Sequence, residues 1–570
     1  MLLGPGGLGD GGNAEVGVRG IHCFFRVPLG STEMQFGPES LLPPIVAIAL
    51  AIATRRVVIP LAAGVFTGAV LLAHRDPERS WYDAPTVFIR AISESVLSLS
   101  HLQALAFSLM LGAMVGVIES GGGMRALVRW FSSKVHSRRG AQTMIATSGL
   151  AIFFDDYANS LLIGGTMRST SDRYGISREK LAYLVDSTAA PVAGLAVVGT
   201  WAAIEISYMG EGLRAGGITD SQAPFLLFIE SIPYRFYPWL ALAFVFIVAI
   251  SGRDFGAMRT AEIDAVGGRA SGGDPSAADF ERGDCERRYL WVAAVLPVLV
   301  CILVVAAVLV VTGIESIGRW HPQDGLLRQA GEVFGNGDSY LALIYGSFTG
   351  LLVAMLSSLA LGGCDPAGAL GAALRGARQM MPALVILWFA WALSGMTDPD
   401  KLDTGGYLSS VLSDRLDIRL LPTVVFLLAG GIAFSTGTSW GTMGILTPLS
   451  IALAVRMEST GQYDSTIVLA TCGSVLAGAI FGDHCSPISD TTVLSSQASG
   501  CHHVAHVRTQ MPYAITVAAV CVLFGTMAAP LGYSPWISLI VGTIVLAVLM
   551  RLVGKQPRET DPGPEITNRA

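Results

Sequence analysis

Four stretches of this chain set ionisable and hydroxyl residues inside apolar runs. The first is Phe153-Phe154-Asp155-Asp156-Tyr157-Ala158-Asn159-Ser160. An ionisable side chain at membrane depth costs about 2.5–3.5 kcal/mol on insertion scales, so such a residue is read as functional. Adjacent acids on a regular helix point about 100° apart, so Asp155 and Asp156 reach one cavity only where the backbone unwinds. Asp156 and Asn159, three residues apart, share a face. The chemistry this allows is cation coordination with proton exchange. A hydrated surface loop is the bland alternative, and apolar runs on both sides speak against it.

The second stretch is Asp186-Ser187-Thr188-Ala189-Ala190-Pro191, running on to Gly199-Thr200-Trp201. A proline inside an apolar segment frees a carbonyl, and nearby hydroxyls can replace the lost partner. Ser187 and Thr188 suit either that structural task or a ligand role. The third, Ser435-Thr436-Gly437-Thr438-Ser439-Trp440-Gly441-Thr442 with Pro448 beyond, is poor helix and rich in oxygen. Unwound carbonyls and hydroxyls are what a hard cation such as Na⁺ needs in a transporter, although small-residue helix packing has the same composition. The fourth, Phe481 to Thr492, gathers Asp483, His484, Ser486, Pro487 and Asp490 at the end of an apolar span. A buried carboxylate there can hold Na⁺ or a proton, and His484 can relay the proton or brace the backbone.

These stretches need spans to hold them. The chain has 570 residues, of which 52% are hydrophobic and 14% charged, with mean hydropathy +0.56. Soluble domains carry roughly 25% charged residues, so this chain cannot cover a water-facing surface of its size. An all-α polytopic membrane protein is expected. A net charge of −6 excludes a phosphate-binding field, and hence a nucleic acid partner. The eight cysteines form no C-x-x-C pair, which argues against a zinc or disulfide framework. Cys501-His502-His503-Val504-Ala505-His506 has metal-like spacing but no further cysteine or acid beside it, and is not expected to bind metal. Glu119 and Glu205, at span ends, read as interfacial caps.

Charge gives the topology, because Lys- and Arg-rich loops stay cytoplasmic. The loops at 120–140 and 168–180 are both basic, so the apolar segment 141–167 between them enters and leaves on one side. Loops 397–419 and 451–466 are both acid-leaning, so 424–450 is re-entrant from the opposite face. Opposed re-entrant hairpins with broken helices imply an inverted repeat. The expected organisation is a disordered tail over 1–38, a membrane half over 39–250, a polar cytoplasmic linker over 251–288, a second half over 289–550 and a cytoplasmic tail over 551–570. Arg551, Lys555 and Arg558 set the C-terminus inside.

The segments FFDDYANSLLIGGTMR, STAAPVAGLAVVGTW, FSTGTSWGTMGILTP and GDHCSPISDTTVLSS, in that order, resemble the NhaC-type sodium/proton antiporter family over roughly residues 38–550. The resemblance implies exchange of Na⁺ for H⁺ across the inner membrane or, in one branch, Na⁺-linked exchange of small organic acids such as malate and lactate. By motif match the site residues are Asp155, Asp156, Asn159, Ser435, Thr436, Thr438, Asp483, Ser486 and Asp490; the reading of the four stretches adds Asp186, Ser187, Thr188, Ser439 and His484. Na⁺ is expected at Asp156, Asn159, Ser435, Thr436 and Asp483, with Asp483 and Asp156 the titrating pair. No cofactor is expected beyond the transported ions. Expected partners are lipid, Na⁺ and H⁺, with a small carboxylate and a second copy of the chain as further candidates. A membrane hydrolase using Asp483, His484 and Cys485 or Ser486 is the rival class, but consecutive residues rarely converge as nucleophile and base.

Overall fold

In the computed structural model the described residues are 37–54, 56–76, 79–132, 135–153, 155–218, 223–267, 289–317, 333, 337–412, 416–458 and 465–557. The expected tail, most of the polar linker and the C-terminal tail from 558 lie outside them. The described residues fold into helices. In chain order these are α1 (Leu42–Thr54), α2 (Val58–Arg75), α3 (Ala84–Leu97), α4 (Leu99–Ser120), α5 (Gly123–Ser132), α6 (Arg138–Ala151), α7 (Asp156–Arg173), α8 (Arg178–Ala193), α9 (Thr200–Ala215), α10 (Ala223–Ser231) and α11 (Phe236–Ser251). They continue with α12 (Gly256–Val266), α13 (Val292–Ile317), α14 (Ser339–Ala360), α15 (Pro366–Met396), α16 (Thr404–Leu412), α17 (Leu421–Thr436), α18 (Ser439–Met457), α19 (Thr466–Cys485), α20 (Asp490–Ser499), α21 (His503–Cys521) and α22 (Pro535–Val553).

Among the described residues, ten helices are long and apolar enough to cross a membrane. An eleventh crossing results if Ala223–Tyr234 and Phe236–Ser251, bent by 43°, count as one. Burial sorts them into an inner and an outer set. The windows in α18 and α19 are 83% buried, against 33% for α13 and 28% for α22. The outer helices turn Leu299, Leu303, Ile537, Ile540 and Ile544 outward, the face a helix presents to lipid. The polar stretches therefore sit on the inner helices, away from hydrocarbon.

Local chemistry explains where the inner helices begin and end. Ser137, Asp155, Ser177, Thr438 and Ser465 each accept a backbone N–H from the first turn of the helix that follows. α17 stops at Gly437, whose φ of 71° is left-handed, the conformation glycine adopts without cost. The apolar stretch 181–203 is not one span: α8 ends at Ala193, just past Pro191, and α9 starts at Thr200. α3 ends at Leu97, Ser98 caps α4, and Ile89 and Leu97 of α3 are exposed.

Two groups of four helices repeat one pattern of contacts. α6 packs on α8 and α7 follows the break after α6; likewise α17 packs on α19 and α18 follows the break after α17. The groups also interlock, since α7 packs on α20 and α18 packs on α9. Small residues let α17 and α19 approach closely. A Cβ at Gly478 would lie 2.3 Å from the Phe426 carbonyl, and one at Gly482 2.4 Å from that of Gly430. This is small-residue packing of the kind used between membrane helices.

Candidate functional site

The first break lies between the end of α6 at Ala151 and the start of α7 at Asp156. Asp155 is extended there (φ −157°, ψ 128°) and caps α7. Its Oδ1 accepts the Ala158 N–H at 2.8 Å and its Oδ2 the Thr200 hydroxyl at 3.3 Å. The unwinding that adjacent acids require is therefore present. Asp156, 1% exposed, begins α7, and neither of its carboxylate oxygens has a hydrogen-bond partner among the described residues. The Trp201 indole faces it. Asn159 donates to the carbonyls of Gly149 at 2.8 Å and Ile152 at 2.9 Å, which pins the end of α6 and leaves its own Oδ1 free.

The second break is at Gly437 and Thr438. Thr438 caps α18. Ser439, the first residue of α18, turns to Asp483 in the last turn of α19. The Ser439 backbone N–H donates to Asp483 Oδ2 at 3.1 Å and its hydroxyl donates to the same oxygen. Asp483 Oδ1 has no partner among the described residues. A helix N-terminus favours negative charge, so this carboxylate is held where the α18 dipole stabilises it. Ser486 donates to the Phe434 carbonyl at 2.8 Å, and the Asp490 N–H to that of Gly437 at 3.3 Å. Both fasten the turn after α19 to the break after α17.

Aromatic residues join the two breaks. Trp201 and Trp440 have ring centroids 5.0 Å apart. The Tyr157 phenol lies within electrostatic reach of Asp155, Asp156, Asp483 and Asp490. Four of the expected acids thus act electrostatically on one tyrosine.

The other expected residues divide. Asp186 is fully buried and accepts from Thr492, Ser495 and Gln510. His484 Nδ1 is hydrogen-bonded to the Tyr237 hydroxyl at 2.9 Å. Ser187 is buried on α8. Thr188 donates to the carbonyls of Leu184 and Val185, Ser435 to Gly431 at 2.8 Å and Thr436 to Ile432 at 2.9 Å. These hydroxyl protons are spent on their own helices; Ser435 is half-buried and Thr436 buried, and their oxygen lone pairs stay available to a cation. Glu205 is not a surface cap: it is buried and paired with Arg235 at 2.8 Å. His502, His503 and His506 do not converge, and among the described residues no three His, Cys, Asp or Glu gather around a metal position.

Sequence reasoning missed Tyr157, Thr492, Ser495, Gln510 and His506 as site members. The last pair does not stand out in sequence: His506 and Gln510 are four apart on one helix face, but His503, Arg508 and Thr509 are polar beside them.

Two cavities flank α15 around Gly376 and Pro382. One, of about 940 Å³, is lined by Arg56, Arg378, Ile386, Thr438, Ile488 and Asp490. The other, of about 230 Å³, runs from Glu119 to Asp155 past Tyr157 and Gln379. Glu119 thus faces the first break rather than capping a span.

A helical polytopic bundle with broken helices, and with buried carboxylate oxygens that lack partners among the described residues, has the build of a membrane transporter. The chain belongs to the Na⁺/H⁺ antiporter family, whose sequence profile matches residues 192–529. An uncharacterised protein of Haemophilus influenzae is 33% identical over 480 residues, 84% of this chain and 88% of that one. The malate-2H⁺/Na⁺-lactate antiporter of Bacillus subtilis is 33% identical over 110 residues, 19% of this chain and 22% of its own length. In fold the chain is similar to the YdaH transporter of Alcanivorax borkumensis, with TM-score 0.53 at 12% identity, covering 90% of this chain and 98% of that one.

Proposed function

We propose that this protein exchanges Na⁺ for H⁺ across the cytoplasmic membrane by alternating access, with the C-terminus inside. The halves 39–250 and 289–550 are read as inverted repeats joined by the linker 251–288, and the reciprocal packing of α7 on α20 and α18 on α9 supports that reading. Asp156, Asn159 and Asp483 hold the Na⁺, with Ser439 orienting Asp483. The observation that carries this is a set of buried oxygens without partners among the described residues: both of Asp156, Oδ1 of Asn159 and Oδ1 of Asp483. A buried carboxylate without a partner is strongly disfavoured, and either Na⁺ or a proton relieves it. Competition between Na⁺ and H⁺ for this buried negative charge is the basis of exchange. The cavity from Glu119 to Asp155 gives cations an acid-lined approach.

The test is proton movement in everted vesicles under an imposed ΔpH. Na⁺ alone collapses ΔpH with the wild type and leaves it intact with Asp483→Asn if the reading is right.

A second reading, Na⁺-coupled exchange of a small carboxylate, is favoured by one feature. The larger cavity ends at the Gly437–Thr438 break and carries two guanidinium groups, Arg56 and Arg378, among apolar side chains. Arginine pairs with carboxylates in a two-pronged geometry and disfavours a bare cation nearby. Under this reading Na⁺ alone does nothing, and Na⁺ with malate or lactate collapses ΔpH.

A further inference from the structure

A second buried acid lies beside the first. Asp186, midway along α8, is wholly inaccessible to solvent, and three donors surround its carboxylate. The Ser495 hydroxyl reaches Oδ1 at 3.1 Å; the Thr492 hydroxyl at 3.1 Å and the Gln510 amide at 2.5 Å reach Oδ2. His506 of α21, equally buried, brings Nε2 to 3.4 Å from the same oxygen. Neither His506 ring nitrogen has a hydrogen-bond partner among the described residues. The other ionisable groups facing Asp186 are His484 and Asp483 of α19 and Tyr237 of α11.

This arrangement accommodates two charge states. Without a proton on the imidazole, the three donors compensate the Asp186 carboxylate. With one, imidazolium and carboxylate form an ion pair, and the His506 nitrogen that lacked a partner gains one. The way in is short, because His506 lies one turn inside the start of α21 and His502, just before that start, is exposed. The pair is also tied to Asp483. The Thr492 hydroxyl lies 3.1 Å from the Asp483 carbonyl, and the Gln510 amide, while donating to Asp186, also reaches the His484 carbonyl at 3.0 Å.

We propose that Asp186 and His506 form a proton-binding centre, separate from the carboxylates that take Na⁺, and that the proton bound there is exchanged against the cation. The proposal rests on the exchange reading above. A proton arriving at His506 adds one positive charge to the interior, as Na⁺ at Asp483 does. In a medium of low dielectric constant the two additions oppose each other, so each site empties as the other fills.

The experiment is Na⁺ self-exchange in proteoliposomes, followed with radioactive Na⁺ as a function of pH, for the wild type, His506→Gln and Thr492→Val. Wild-type self-exchange falls about tenfold between about pH 8 and pH 6 as protons compete. His506→Gln flattens that fall to within about twofold, since its amide takes no proton. Thr492→Val keeps the side-chain shape, so it folds even if the histidine variant does not. Losing a donor to Asp186 raises the proton affinity of the pair, and the midpoint of the fall moves to higher pH. A pH-sensitive wild type with both variants retaining its profile overturns the proton centre while leaving Na⁺/H⁺ exchange standing. A wild type whose self-exchange ignores pH overturns the exchange reading itself.

Discussion

The two helix breaks do the same mechanical work with different chemistry. At the first, the chain supplies its own acids: Asp155 caps α7 and Asp156 starts it, with Thr200 and Trp201 arriving from α9. At the second, the break contributes neutral groups, the Thr438 cap and Ser439, and takes its acid, Asp483, from α19. The backbones differ too. At the first break Asp155 is extended, whereas the second turns through Gly437 at φ 71°. A break that carries its own acids places negative charge at a helix start directly. A break that borrows one makes the acid's position depend on how two helices pack. The borrowed carboxylate is therefore the one that helix movement can make or unmake.

The largest effect should come from the carboxylates. Asp483→Asn removes the charge held by two Ser439 donors, and hydrogen bonds to charged groups are worth about 1.5–3 kcal/mol each, so exchange should fall on the order of 100-fold or more. Asp156→Asn should do the same. Apparent Na⁺ affinity from the ΔpH assay separates the two breaks. If Asp483→Asn retains near-wild-type exchange while Asp156→Asn is dead, the second break is scaffolding and the comparison collapses.

Gly437→Ala comes next. An L-residue in the left-handed region costs roughly 1–2 kcal/mol, and the new Cβ would lie 2.4 Å from the Ile488 carbonyl. The turn after α19 would have to shift, carrying Ser486 and Asp490 with it. We expect about a tenfold loss of exchange, with a lower melting temperature in detergent. Wild-type activity in this variant would mean that the second break tolerates a different path.

How much of this was legible in the chain follows from the same contrast. Asp155, Asp156 and Asp483 announce themselves, because charge is costly in an apolar run and nothing cheap explains it. The broken helices were legible for a related reason: Pro191, Gly437 and the adjacent acids all disfavour continuous helix. Hydroxyls carry less information. Thr188, Ser435 and Thr436 satisfy themselves on a carbonyl three or four residues back, so composition alone does not separate them from Ser439, whose hydroxyl crosses to another helix. Residues that join the site through packing were silent. Gln510 and His506 lie more than 300 positions from Asp186 in sequence, and only the docking of α21 on α8 brings them together.

Ser439 and Ser435 turn that last point into the finest test of the comparison. Both belong to the same oxygen-rich stretch, four residues apart, one on each side of Gly437. Ser439→Ala removes the hydroxyl donor to Asp483 but keeps the backbone N–H bond, and losing one charge-assisted hydrogen bond of about 1.5 kcal/mol corresponds to roughly a tenfold change in apparent Na⁺ affinity. Ser435→Ala removes a hydroxyl that donates to Gly431 of its own helix, at a half-buried position, so affinity should stay within about twofold. The assay is the Na⁺ concentration giving half-maximal ΔpH collapse, measured for both variants in the same membranes. Equal losses would mean that the stretch acts as a flexible oxygen-rich segment without a defined ligand geometry. Unequal losses, with Ser439 the larger, would tie function to the one hydroxyl that reaches from α18 to the carboxylate on α19.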